Sequence, residues 1–561
     1  MSNIVNDYNE NDKKEAILSN VKVENDSSKK KLIMLYSLTI GGMLLTIIIV
    51  FLISSHLGNS KKEYNIISLK YKPNSEAETQ LFNSKYIKSI ISMKIDGINI
   101  PNIRNTYTFN STEDHIVEIK LNLDLDALDE MFKNCGILTE VDLSKFESKN
   151  IKNMSEMFYD CNSLTSVNFG NFNTKKVVNM SHLFHGCIFL KSIDLNKFDT
   201  SNVIDMQYMF YRCLSLTSLN IKNFDTKNLK EIKGMFSNCK LLSDIEIGEH
   251  FITTKIKDIS ELFYSCEKLK AINLNNFDTS EVTNMNSLFH NCASITSLNL
   301  DKFNTVNVID MGGLFQGCSR ITSLELGNLD TSNVENMGHM FDSCNSLSYL
   351  NLKNLDTSKV KLMNQMFNRC TSMETFDLSN FDTSQVINME GMFDFCSSLT
   401  FLDLRNFDTS QVTDMSYLFA ASTKLTSVDL SNFNTKNVLT MNNMFYGCYS
   451  LTDLNLSSFD VSNLKSMWLM FNECKSLKYL NLSNFHTSKT ENMGGVFSKC
   501  YNLTVIDIRN FDDSALIIKE TDLFPDIALN GTIYYNSDKF SQNLVAKNSI
   551  KNWEKIDVKA K

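Results

Sequence analysis

Between residues 128 and 526, apolar residues return to the same places about every 26 positions. Residues 388–413, NMEGMFDFCSSLTFLDLRNFDTSQVT, represent the unit. In the first part, Met389, Met392, Phe393 and Cys396 fall at i, i+3, i+4 and i+7, the spacing of one face of a short helix. Leu399, Leu402 and Leu404 follow, and the alternation around 402 and 404 predicts a strand with one face inward. Phe407-Asp408-Thr409-Ser410 reads as a turn whose Asp and Ser can hydrogen-bond nearby backbone. Val412 brings the chain back to the interior. The predicted unit is therefore strand, turn and short helical arc, an α/β repeat. One unit cannot bury its apolar face alone, so neighbours must stack into a solenoid.

The cysteines mark the repeat. All 14 occupy one position, from Cys135 to Cys500, in steps of 26 except one of 27 and one of 52. The missing rung falls at Ser422, which makes 15 repeats, and a phenylalanine stands three residues before every rung. Stacking accounts for the unusual composition. Of 26 methionines, 21 lie at the positions of Met389 and Met392, while 15 phenylalanines fill the place of Phe393 and 13 that of Phe407. These are expected core ladders. Parallel rungs about 4.8 Å apart carry side chains in parallel directions, whereas a disulfide needs Cβ atoms about 3.8 Å apart and tilted together. The cysteines are therefore expected to be buried free thiols. No C-x-x-C or Cys/His cluster suggests zinc.

Outside the repeats, residues 32–53, LIMLYSLTIGGMLLTIIIVFLI, contain no charge. At 1.5 Å per residue they match a hydrocarbon core of about 30 Å, which predicts a single N-terminal transmembrane helix. Lys29, Lys30 and Lys31 precede it, which favours a cytosolic N-terminus and repeats outside the cell. Residues 1–31 are then a polar cytosolic tail, expected to be disordered. Residues 58–127 are expected to form a small β-rich segment, and 527–561 a closing segment. The inverted topology, with a cytosolic repeat scaffold, is the alternative.

The repeat N-M-x-x-M-F-x-x-C-x-S-L-T-x-L-x-L-x-N-F-D-T-S-x-V carries the L-x-x-L-x-L strand signature of leucine-rich repeats. At its 26-residue period it resembles the BspA-like branch of leucine-rich-repeat surface proteins. Ile95-Asp96-Gly97 and the alternating residues 116–121 look like the β-rich segment that precedes such repeats. Residues 530–537 and Asn552-Trp553-Glu554 resemble a closing segment. The resemblance implies an exposed, surface-attached protein that adheres to or recognises other molecules.

Charge and motifs narrow the function. A net charge of −9 argues against a nucleic-acid partner. None of the common phosphate-binding, zinc-protease or serine-hydrolase motifs occurs, so no enzyme and no cofactor is expected. His182 and His185 stand at i, i+3 without an evident third metal ligand, and one carboxylate per F-D-T-S turn falls short of the six to eight oxygens calcium takes. Binding is expected on the outward strand positions. One outward row is mostly Ser, Thr or Asp but turns aromatic at Tyr349, Phe401 and Tyr479, and exposed aromatics are usual contact anchors. The adjacent row places Asp377, Asp403 and Asp429 on successive rungs, a carboxylate strip suited to a basic partner. These six residues are the candidate ligand contacts, and extracellular proteins or glycans the expected partners. A non-binding surface coat is the rival reading.

Overall fold

A computed structural model describes residues 64–560 apart from 327–328, 519–521 and 542–547. The expected cytosolic tail (1–31) and membrane span (32–53) lie outside the described residues, among which no helix is long and apolar enough to cross a membrane. The described residues belong to one compact unit, Tyr64–Lys561.

The repeats form a solenoid, and the expected ladders are its core. The phenylalanines at the place of Phe393 stack without interruption from Phe132 through Phe497 to Phe524, their centroids 5.4–6.2 Å apart and their planes within 17°. This spacing of near-parallel rings is offset stacking, worth about 0.5–1.5 kcal/mol per pair beyond the buried area. The Met, Leu, Val and Cys ladders around it are buried.

The helical arc is not a helix. Among the described residues helical structure is confined to three 3₁₀ segments, Ser84–Ser89, Asn548–Ile550 and Val558–Ala560, all outside the repeats. Residues 389–396 instead form successive turns that repeat every four residues. Met392 N donates to Met389 O at 3.2 Å and Asp394 N to Gly391 O at 3.0 Å, closing the turns. Between them, Met389, Gly391, Phe393 and Phe395 donate to Asp414, Ser416, Leu418 and Ala420 of the next rung, at 2.7–3.2 Å. In a helix Phe393 N would bond four residues back; here it leaves the rung altogether. Two residues per rung take the left-handed conformation needed to turn the chain, Gly391 (φ 59°) and Phe395 (φ 55°). A four-residue period puts residues 389 and 393, and 392 and 396, on one side. It therefore yields the same i, i+3, i+4, i+7 pattern as a helix.

The arc is the continuous seam of the solenoid. Parallel bridges at the place of Asn388 run from Ala127 to Asn492, broken only between Glu231 and Asp258, where the 27-residue step inserts an extra residue. The leucine strands pair only in places. The N-terminal region contains β1 (Asn65–Tyr71), β2 (Glu78–Gln80), β3 (Ile90–Ile95), β4 (Ile98–Asn99), β5 (Thr106–Thr108) and β6 (His115–Leu121), and the first rungs supply β7 (Leu138–Asp142) and β8 (Ser166–Asn168). Further along, β9 (Ser218–Ile221) pairs with β10 (Asp244–Ile247), and β11 (Ser323–Glu325) with β12 (Tyr349–Asn351). The last group is β13 (Tyr479–Asn481), β14 (Val505–Asp507), β15 (Thr532–Tyr535) and β16 (Glu554–Asp557), all parallel.

Both ends of the core are covered. At the start, β1 runs antiparallel between β6 and β7, Leu69 facing Val117 on one side and Val141 on the other. It blocks an edge that would otherwise template further pairing. Buried Asn65 locks it in place, its Oδ1 accepting from Glu147 N at 2.7 Å. At the other end, Phe540 packs edge-on against Phe511 at 6.2 Å and Trp553 donates to Ala528 O at 2.8 Å.

Polar side chains tie rung to rung. All 14 cysteines are free and buried. From Cys161 onward, each Sγ donates to the carbonyl of the preceding rung's phenylalanine at 3.0–3.3 Å, as Cys396 does to Phe367. Ser422, in the missing rung, makes the same bond to Phe393 O at 2.9 Å. A buried threonine in the F-D-T-S turn does likewise on another side: Thr409 Oγ1 donates to Asn434 O at 3.0 Å and accepts from Asn434 N at 2.9 Å. The asparagine before the turn phenylalanine forms a third stitch, Asn406 Nδ2 donating to Leu378 O and Phe381 O.

Ser422→Ala should destabilise the protein by about 1–2 kcal/mol, because Phe393 O loses a buried donor, whereas Ser422→Cys should retain most of that stability; denaturant titration separates the two. Burial raises the thiols, Cys239, Cys318, Cys448 and Cys500 to about 12 from an ordinary 9.0. The folded state thus holds protons that the unfolded chain releases near pH 9, so stability should be intact below pH 9 and decline as pH rises from 9 toward 12. Alkylation at pH 8 followed by mass spectrometry should leave the ladder unlabelled until denaturant is added. Rapid labelling of the folded chain would contradict the packing.

Candidate functional site

The leucine strand directs alternate residues to the core and to solvent. Leu402 and Leu404 are buried while Phe401, between rungs rich in Ser and Thr, is 60% exposed. Tyr349 on β12 and Tyr479 on β13 are likewise more than half exposed, at 52% and 54%. All three aromatics point outward. Tyr349 and Phe401 are separated by the single rung of Thr375, about 10 Å at the usual strand spacing. Tyr479 lies three rungs beyond Phe401 and stands apart from that pair.

The carboxylate row has a local role that the sequence reading did not assign. Each Asn or Asp in this row accepts from the backbone N–H two residues on and so fixes the turn that ends the strand. Asn351 Oδ1 takes Lys353 N at 3.2 Å, Asp429 Oδ1 takes Ser431 N at 3.0 Å, and Asn481 Oδ1 takes Ser483 N at 3.0 Å. Asp377 receives the Ser379 hydroxyl at 2.7 Å. Hydrogen bonds from Ser379 and Ser431 hold the Asp377 and Asp429 carboxyls below the usual range.

Asp403 is not a free charge. Arg405 grips it with Nε at 2.9 Å and Nη2 at 2.6 Å, and this bidentate bond lowers its pKa to about 2. Arg405 also acts on Asp429. The expected acidic strip is therefore a mixed patch, with a guanidinium bonded to Asp403 and acting on Asp429, while the cation acting on Asp377 is Lys353. Arg405 was missed because the position after the inward leucine is a variable turn position elsewhere; a cation two residues beyond an exposed aspartate was the available signal. Asp507, at the same place near the end of the solenoid, is buried and paired to Arg509.

On the arc surface, His182 and His185 join a stack of rings. His185 lies 4.1 Å from Tyr159 and 4.5 Å from Tyr211, and His182 lies 5.3 Å from Tyr208. Burial lowers both imidazoles, His185 to about 4, so both are neutral at pH 7. Among the described residues no three His, Cys, Asp or Glu side chains converge as a metal site. Further along the arc, burial raises Asp394 to about 7, and its Oδ1 has no hydrogen-bond partner.

The family described as "Mycoplasma protein of unknown function, DUF285" matches residues 126–249, 240–347, 321–401 and 395–511. The chain belongs to this family. The matches run along the solenoid rungs and stop short of both end segments. No curated protein matches the chain. Among solved structures, the Listeria monocytogenes InlJ functional domain, whose title notes a cysteine ladder, is 12% identical over 78% of this chain and 74% of that one, with a TM-score of 0.22. TLR13 in complex with ssRNA13 is 16% identical over 72% of this chain, with a TM-score of 0.21. The Drosophila Toll–Spatzle complex is 14% identical over 69% of this chain, with a TM-score of 0.18. The matched part spans 65% of the TLR13 chain and 52% of the Toll chain, less than two thirds of either. Likenesses this distant say nothing about what this chain binds.

The site makes its own stability predictions. Tyr349→Ser and Phe401→Ser should each change stability by less than about 0.5 kcal/mol, since neither ring is in the core; a thermal melt checks this. Asp394→Asn should behave differently. Its folded pKa is raised, so the native state favours the protonated acid, and that preference is lost as pH rises through about 7. The substitution should therefore stabilise the protein by about 1–2 kcal/mol at pH 8 and have little effect at pH 4.

Proposed function

We propose that this protein is a membrane-anchored, BspA-like cell-surface protein that binds external proteins or glycans through the outward strand face around Tyr349 and Phe401. Its short tail is cytosolic and its solenoid lies outside the cell. The role is binding, not catalysis.

One observation carries the reading. Tyr349 and Phe401 are large rings, more than half exposed, in a row that is mostly Ser, Thr or Asp. Rings at such positions do not serve the core, and they supply contact area at low cost in side-chain entropy. The Asp403–Arg405 pair beside Phe401 offers both a donor fork and carboxylate acceptors. The uncharged run 32–53 behind Lys29, Lys30 and Lys31 supports the anchored topology. A second reading, a structural coat without a ligand, is favoured by the capping role of the Asn/Asp row, which gives those rungs a purpose within the fold.

The test uses the full chain displayed on cells. The Tyr349→Ser, Phe401→Ser double variant should fold as the parent does and lose about 2 kcal/mol or more of affinity for its target cells or matrix. Asp377→Asn with Asp429→Asn should weaken binding mainly at low salt. Saturable binding by the parent with equal binding by the double variant would remove this face as the site, and no saturable binding by the parent would favour the coat. Protease treatment of intact cells should cleave the repeats, and full protection would reverse the topology.

A further inference from the structure

A different face of the solenoid carries a second feature, independent of the strand surface. The residues just before and just after the inward valine of each rung line a lateral groove. Over the first five rungs this groove has a volume of about 580 Å³ and is lined by Lys152, Lys176, Lys230 and Lys255, by Asn202 and Asn228, and by exposed Val178 and Ile204. No carboxylate lines it, although the whole chain carries a net charge of −9. Only Lys152 of the four lysines makes an ion pair among the described residues, with Asp126 at 3.3 Å, both side chains more than 60% exposed. Lys176 and Lys255 reach amides instead, Asn150 Oδ1 at 3.3 Å and Asn228 Oδ1 at 3.2 Å. Four cations thus share one groove with little compensation.

The arrangement is local. The neighbouring groove on the same face has a similar volume, about 460 Å³, and an isoleucine, Ile309, in its lining. There Glu281 and Glu335 offset Lys257 and Lys359, and Lys361 pairs with Glu335 at 2.8 Å. The solenoid therefore builds the same trough twice and makes only the first one basic.

We infer that the groove of Lys152, Lys176, Lys230 and Lys255 binds a linear anionic polysaccharide laid along the solenoid. The lysines alternate between the two sides of the valine column and span four rung steps, about 19 Å at the usual strand spacing. That extent suits an extended polyanion better than a single small anion. Ammonium groups on flexible stems act as point charges toward sulfate or carboxylate. Val178 and Ile204 supply an apolar floor for the faces of sugar rings. Asn202 Nδ2 is tied to Lys175 O at 2.8 Å, which leaves its Oδ1 to accept from a hydroxyl. A single-stranded nucleic acid fits less well, because base binding relies on aromatic platforms and no aromatic side chain lines the groove.

The experiment measures binding of the full chain, held in neutral detergent, to a heparin octasaccharide and to a carboxylate-only polyuronate. A single-stranded oligonucleotide of equal charge and vesicles of anionic phospholipid run alongside. The quadruple variant Lys152→Gln, Lys176→Gln, Lys230→Gln, Lys255→Gln should bind heparin at least tenfold more weakly than the parent. A control removing four exposed lysines elsewhere, Lys424, Lys436, Lys478 and Lys489, should bind like the parent. Raising the salt should weaken the parent's binding steeply. Response to heparin alone, or to both polymers, distinguishes a sulfated from a uronate ligand within the same class. The proposal is overturned if the parent binds neither polysaccharide at low salt, if both quadruple variants lose affinity equally, or if the oligonucleotide or the vesicles bind more tightly than either polysaccharide.

Discussion

The whole repeat region depends on where the arc's backbone N–H groups go. Along the solenoid, residues at the places of Met389, Gly391, Phe393 and Phe395 donate to the next rung, Ile232 at the 27-residue step excepted, and the residues between them close turns within the rung. No rung can satisfy its own backbone, so a neighbour is a condition of folding rather than an addition to it. The same bonds hold a backbone that is costly in isolation. Each rung keeps two residues in the left-handed region, and many are not glycine, Glu130, His182, Tyr208 and Phe395 among them. Such conformers are sparsely populated for L-residues and persist only where the surroundings determine them.

This constraint accounts for the side chains. At the arc, the phenylalanine carbonyl accepts a second bond from the following rung's thiol, or from the Ser422 hydroxyl. A cysteine is small, apolar enough for the core and still a donor, which explains its recurrence without disulfides. Threonine and asparagine perform the same task at the turn. These backbone carbonyls are thus satisfied from rung to rung, and the surface is left free to vary. The outward strand face and the lateral groove are read from that variation: rings at Tyr349 and Phe401, and lysines left without glutamates in only one of two like-shaped troughs.

Much of the fold was legible in the sequence because periodicity needs no knowledge of local geometry. The Phe393 ladder, the buried thiols and the outward placement of Tyr349, Phe401 and Tyr479 follow from spacing alone. The arc was not legible from apolar spacing, since a four-residue turn spiral and a helix bury the same positions. The discriminating signal lay in the poor helix formers. Glycine recurs at the places of Gly391 and Phe395, as Gly186, Gly234, Gly313, Gly317, Gly447 and Gly495, all with positive φ, whereas a helix interior disfavours it. At the strand face, the Asp row was visible but Arg405's grip on Asp403 was not, because a bidentate contact two residues along the strand depends on rotamer and turn rather than on pattern. The basic groove escaped for a related reason: its lysines are spread over five rungs and meet only when those rungs stack.

The claim that arc-to-arc hydrogen bonds hold the solenoid together is tested most directly by hydrogen exchange resolved along the chain. Amides at the places of Met389, Gly391, Phe393 and Phe395, Ile232 at the seam's break excepted, should be the most protected in the interior rungs, with opening free energies approaching that of global unfolding. The unpaired leucine strands, such as residues 401–404, should exchange sooner. Strand amides that outlast the arc, or arc amides that exchange within seconds, would contradict the account.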